Sequence, residues 1–128
     1  MPDLSSQQPN DNSPHILTVG ALIMDTHAWH VHLNGEPINL TLLQFKVLVY
    51  LAQNAGRVVT RDELLVWVWK SSPDAKGTAN VDSCVQRLRR KLGEWGKAHL
   101  STVRGVGYRL DAENAESQWL ENWPEIDR

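Results

Sequence analysis

Residues 102–110 read TVRGVGYRL. β-favouring side chains flank Arg104-Gly105-Val106-Gly107, and glycine adopts turn angles that other residues resist. The stretch predicts a hairpin, with residues 100–103 and 108–110 as strands and both glycines supplying backbone angles. Its tip carries Arg104. A cation on a narrow tip has the shape that enters a minor groove, where A·T-rich sequence concentrates negative potential. A solvated loop arginine would look the same, so its meaning depends on what precedes it.

Immediately upstream lies NVDSCVQRLRRKLG, residues 80–93. The pattern predicts a third helix from about Ala79 or Asn80 to Leu92, closed by Gly93. At about 100° per residue, Val81, Cys84, Val85, Leu88 and Leu92 fall within roughly 60° of one line and form the stripe that packs. The opposite face holds Ser83, Gln86, Arg87 and Arg90, with Arg89 and Lys91 on its flanks. One face therefore packs while the other is a basic ridge tipped with short polar groups. An α-helix fits the B-DNA major groove, and arginine pairs bidentately with guanine.

Further upstream, Thr41-Leu42-Leu43-Gln44 and Thr60-Arg61-Asp62-Glu63 are two capping boxes, each opening a helix. The first helix has Leu43, Val47, Leu48 and Leu51 as its apolar stripe, Phe45 and Tyr50 adding bulk, and Gly56 as its stop. The second runs through LLVWVW to Trp69. KSSPDAKGT, residues 70–78, reads as a loop broken by Pro73 and Gly77. Residues 16–40 read as a small antiparallel sheet: Val31 and Leu33 alternate with His30 and His32, and Asn34-Gly35 is a hairpin turn.

Charge is unevenly placed along the 128 residues, whose net is −2. Residues 76–110 carry eight bases and two acids, a net of +6, while residues 1–40 stand at −4 and residues 111–128 at −5. A basic segment between acidic flanks is a local footprint for a polyanion. The apolar runs are far shorter than the ~20 residues of a membrane span, and residues 2–14 lack the apolar core of a signal peptide. The single cysteine, Cys84, permits no internal disulfide and suits a reducing cytoplasm.

LTLLQFKVLVYLAQNAGRVVTRDELLVWVW, NVDSCVQRLRRKLG and STVRGVGYRL, in this order and spacing, resemble the effector domain of OmpR/PhoB-type response regulators. The resemblance covers roughly residues 16–110. It implies an α+β fold, a winged helix-turn-helix with an N-terminal antiparallel β-sheet, three helices and a C-terminal β-hairpin wing. It implies sequence-specific binding of double-stranded DNA, with the third helix in the major groove and the wing in the minor groove. Position by position, Arg87 becomes the base reader and Ser83 a close contact to base edges or methyl groups. Gln86 and Arg89 fall on backbone-contacting positions, and Asn80 and Arg90 complete the helix's DNA-facing set. Trp69 matches an indole that donates to phosphate, Thr102 and Tyr108 match wing positions near the backbone, and Arg104 matches the minor-groove arginine. Cys84 stands where the family often has His, Gln86 where Arg is common, and Ala79 where Arg or Thr is common. Lys76 is read as a compensating cation from the preceding loop, so the base preference is not inherited.

The resemblance also implies contact with RNA polymerase through loop 70–78, tandem pairing of two copies on DNA, and no cofactor. No phosphoacceptor domain fits before His15. Residues 1–14 are expected to be a disordered tail or interdomain linker of a longer regulator, the alternative being a regulator that works without phosphorylation. Residues 15–111 are taken as the winged-helix domain and 112–128 as an acidic, Trp-containing tail. Trp119 and Trp123, four apart, would share one helix face. The tail either packs back on the domain, shades the basic face or docks on a partner.

Other classes fit less well. His27, His30 and His32 with Asp25 do not complete a tetrahedral ligand set, so no metal is expected. Cys84 has no neighbouring His in sequence, and no glycine-rich phosphate loop precedes a helix, so no enzyme is expected. The rival class is a winged helix that binds protein, polymerase or another regulator, with DNA secondary.

Overall fold

The computed structural model describes residues 15–112; expectations for residues 1–14 and for the tail beyond Ala112 lie outside it. Four strands, β1 (Ile16–Val19), β2 (Leu22–Asp25), β3 (His30–Leu33) and β4 (Glu36–Pro37), form an antiparallel meander in chain order. The β3–β4 turn places Asn34 and Gly35 both at positive φ, 55° and 82°. This is the two-residue hairpin geometry that Asn-Gly favours. Leu22, Met24, Val31 and Leu33 point inward on alternate positions and are buried.

Helices α1 (Leu42–Gln53) and α2 (Arg61–Trp67) each start on a complete capping box, Thr41 with Gln44 and Thr60 with Glu63. Strand β5 (Val59–Thr60) separates them, and α3 (Ala75–His99) leads into β6 (Leu100–Val103) and β7 (Gly107–Leu110). The second sheet has the order β5-β7-β6, so the hairpin is anchored on a strand lying between the first two helices. Val47, Leu48, Leu51, Leu64, Leu65, Val81, Val85, Leu88, Leu100 and Leu110 close one core with the meander.

Six expectations need correcting. In α1, Leu43 is 39% exposed, while Gln44 is buried. Gln44 closes the capping box and its Oε1 accepts from Lys91 Nζ at 3.4 Å, so polar demand outweighs the apolar stripe. Helix α2 stops at Trp67 rather than Trp69, because Lys70 turns into the left-handed region at φ 57°. Helix α3 begins at Ala75, four residues before the expected start. Asp74 caps it, accepting from the Gly77 amide at 2.6 Å. Gly77 is therefore helical and not a breaker. A Cβ there would sit 2.9 Å from Leu65 Cδ2, so the missing side chain lets α3 press on α2. Gly93 does interrupt the helix, at φ 63° and ψ −141°, but a further helical piece continues to His99. Lastly, only Gly105 supplies a turn angle, at φ 78°. Gly107 is buried, and a Cβ there would collide with the Val59 carbonyl oxygen of β5.

Candidate nucleic-acid interface

The early start of α3 changes its outer face. At about 100° per residue, Lys76, Asn80, Ser83, Arg87 and Arg90 lie within roughly 80° of one another. Lys76 is thus on the helix rather than in a loop. All five are exposed, as is Gln86 beside them. The inner face, Val81, Cys84, Val85, Leu88 and Leu92, is buried as the periodicity required. Burial raises the pKa of the Cys84 thiol, with nearby Arg87 opposing, so this side chain acts as a small apolar group.

Arg89 points elsewhere than the ridge. Its Nε donates to the Leu100 carbonyl at 3.0 Å, and its Nη2 donates to Thr102 Oγ1 at 2.8 Å. The helix is thereby tied to the first wing strand, and Thr102 is already an acceptor for that guanidinium. Lys91 leaves the flank of the ridge altogether. Its ammonium donates to the Asn39 carbonyl at 2.8 Å, on the side of the N-terminal sheet. The kink at Gly93 leaves a hollow of about 390 Å³ bordered by Gln86, Arg89, Arg90, Glu94 and Lys97.

On the wing, Arg104 is exposed between the two strands, and the turn is closed by Val106 N–H donating to the Val103 carbonyl at 2.8 Å. Tyr108 sits differently from Arg104. Its ring is 4% exposed, and its hydroxyl donates to Asp82 Oδ1 at 2.5 Å. The same oxygen accepts from Arg61 Nε at 2.7 Å, and the Arg61 guanidinium lies 5.4 Å from the Tyr108 ring centre. Burial, then Asp82, pushes the Tyr108 phenol up to about 12. Trp69 is half-buried, packed against the core where α2 ends.

Three residues important to this geometry carry no local signal. Asp82 and Arg61 join α3, α2 and the wing across 21 and 26 residues of sequence, which no helical or strand period encodes. Asp111 is buried and paired with Arg109 at 2.9 Å, and its amide donates to the His99 carbonyl, securing the end of the hairpin. Among the described residues no group of three or more His, Cys, Asp or Glu is arranged to hold a metal ion. No helix there is long and apolar enough to cross a membrane.

Known proteins resemble this chain in sequence and fold. The sensory transduction protein RegX3 of Mycolicibacterium smegmatis is 44% identical over 99 residues, covering 75% of this chain and 42% of that protein. The transcriptional regulatory protein AfsQ1 of Streptomyces coelicolor is 41% identical over 95 residues, covering 72% and 41%. The chain thus spans about two-fifths of the length of these relatives. Among solved structures, the RstA DNA-binding domain of Klebsiella pneumoniae in complex with the RstA box superposes with a TM-score of 0.70 at 31% identity, over 77% of this chain and 98% of that one. The DNA-binding domain of CpxR from E. coli gives 0.67 at 32%, over 75% and 95%. Residues 35–110 match the profile of the family described as transcriptional regulatory protein, C terminal, a family of regulators and not of enzymes. The chain belongs to that family.

Proposed function

We propose that this chain binds double-stranded DNA sequence-specifically, as the DNA-binding part of a cytoplasmic response regulator. In this reading α3 lies in the major groove and the wing arginine in the minor groove. The observation that carries it is the single exposed stripe of Lys76, Asn80, Ser83, Arg87 and Arg90, tethered by Arg89 to a hairpin whose tip is Arg104. The RstA structure, solved with its DNA box, supports it by similarity. Arg87 reads a base, Ser83 touches base edges or methyl groups, and Lys76, Asn80, Gln86 and Arg90 contact base edges or backbone. Arg89 and Thr102 present the wing. Tyr108 acts by positioning, because its hydroxyl is already bound. The reading extends to two copies in tandem on DNA. It also assigns RNA polymerase contact to residues 70–74, the part of the expected loop that remains outside α3.

Selection from a random duplex pool, followed by Arg87→Ala and Arg104→Ala on the selected site, tests it. Loss of Arg87 should cost about 1–3 kcal/mol and flatten preference at one base pair. Loss of Arg104 should weaken sites with A·T-rich flanks most. Equal losses on selected and random duplex for both variants would reject base and shape readout. Binding of polymerase without any DNA preference would favour the protein-binding class.

A further inference from the structure

A second surface, away from the ridge, goes beyond DNA binding. Trp29, Phe45, Val49, Tyr50 and Trp67 line an open groove of about 350 Å³, with Lys46 and Lys70 among its borders. Trp29 stacks on Phe45 at 5.1 Å between ring centres, yet is 53% exposed, and Trp67 is 57% exposed. Single exposed apolar side chains are ordinary, but a contiguous aromatic patch with a polar rim marks an interaction site. The backbone is strained there too. Trp29 and Lys70 hold φ of 60° and 57°, a region that bulky side chains rarely enter. The other described non-glycine residue at positive φ is Asn34, in an ordinary Asn-Gly turn. Trp29 closes the β2–β3 turn and Lys70 follows the end of α2, so two of the three described non-glycine residues at positive φ border this groove.

We propose that the groove receives the chain's own C-terminal segment, residues 113–128, through Trp119 and Trp123. The segment has two indoles four residues apart and five acids against one base, Arg128. The groove offers aromatic faces and two lysines. Glu63, the carboxylate to which Tyr50 donates, is already held by Arg57 at 2.6 Å, which offsets its charge beside an acidic guest.

The attachment point suits this docking. Leu110 accepts from the Gly56 amide at 2.8 Å, just beyond the end of α1, and Gln53 of α1 lines the groove. From Gln53 back to Phe45 is only about 12 Å along the helix. Ala112 packs against Gly20, and from there Thr26, another groove residue, is about 20 Å along the sheet. Trp119 is seven residues beyond Ala112 and can reach up to about 25 Å, and Trp123 reaches farther. A covalent tether raises the effective concentration, so shallow docking suffices.

The test uses the full chain and the indole N–H resonances of Trp29 and Trp67. Trp119→Ala with Trp123→Ala should shift both resonances and make Trp29 and Trp67 easier to quench with acrylamide. Lys46→Glu with Lys70→Glu, which leaves the tail intact, should release the Trp119 and Trp123 signals, and added salt should mimic it in the parent chain. Shifts unchanged on dilution support an internal guest. Trp29 and Trp67 resonances unmoved by loss of both tail indoles would overturn the proposal. Shifts that disappear on dilution would overturn it too, in favour of a second copy as the guest.

Discussion

Asp82→Ala tests the wing's attachment directly. One carboxylate oxygen of Asp82 serves both Arg61 and Tyr108, so a single substitution severs α2, α3 and β7. Tyr108 is almost fully buried, so its hydroxyl would lose its acceptor without gaining water. A buried donor left in that state costs about 1–3 kcal/mol. The Asp82 side chain is 43% exposed, so solvent screens its ion pair with Arg61 and that part adds only about 0.5–1 kcal/mol. The expected loss is therefore about 1.5–4 kcal/mol. At roughly 4–8 °C per kcal/mol for a domain of this size, Tm should fall by about 6–32 °C. Asp82→Asn keeps an acceptor for the phenol and should lose less than half as much. Thermal melting by circular dichroism measures both. Alkaline titration of tyrosinate absorbance gives an independent reading. In the parent, Tyr108 should ionise near 12; in Asp82→Ala it should ionise lower, though still above 10, because burial is the larger cause. A variant that melts within about 3 °C of the parent, with an unmoved tyrosine titration, would refute the linkage.

Three further outcomes are expected. With about four to six phosphate contacts, log affinity for duplex DNA should fall with log salt at a slope of roughly −4 to −5, and a slope near zero would contradict the ridge as a DNA surface. Gly107→Ala should cost about 3 kcal/mol or more, because its Cβ meets the immovable backbone of β5, whereas Gly105→Ala faces open space and should cost about 1–2 kcal/mol for its positive φ; equal melting temperatures for the two would undo this distinction. Glu63 is held at about 2 by the Arg57 guanidinium, against burial that would raise it, with Tyr50 and the Thr60 amide also helping. Its folded pKa is depressed, so its contribution is full above about 4.5 and is lost as pH falls from there toward 2. Arg57 is half-exposed, which limits the contribution to about 1–2 kcal/mol, and Glu63→Gln should flatten the acid limb of stability over that window.

Local rules were enough for much of this molecule. The two capping boxes, the Asn-Gly turn, the buried stripe from Val81 to Leu92 and the Arg104 hairpin all depend on neighbours within a few residues, and sequence spacing alone specifies them. The basic ridge was legible for the same reason: helical periodicity assigns Ser83, Arg87 and Arg90 to one face once the opposite face is apolar. The limits of α3 were not, because Pro73 and Gly77 look like punctuation. Only the packed structure shows that Asp74 caps the helix and that Gly77 is small to admit Leu65. The fates of the charges were likewise decided by tertiary contacts. Arg89, Arg90 and Lys91 are consecutive and chemically alike, yet one clamps the wing, one stays on the ridge and one crosses to Asn39. Burial likewise joins Tyr108 to a carboxylate 26 residues away. Pairings at that separation depend on how whole elements pack, so local sequence periodicity carries no trace of them.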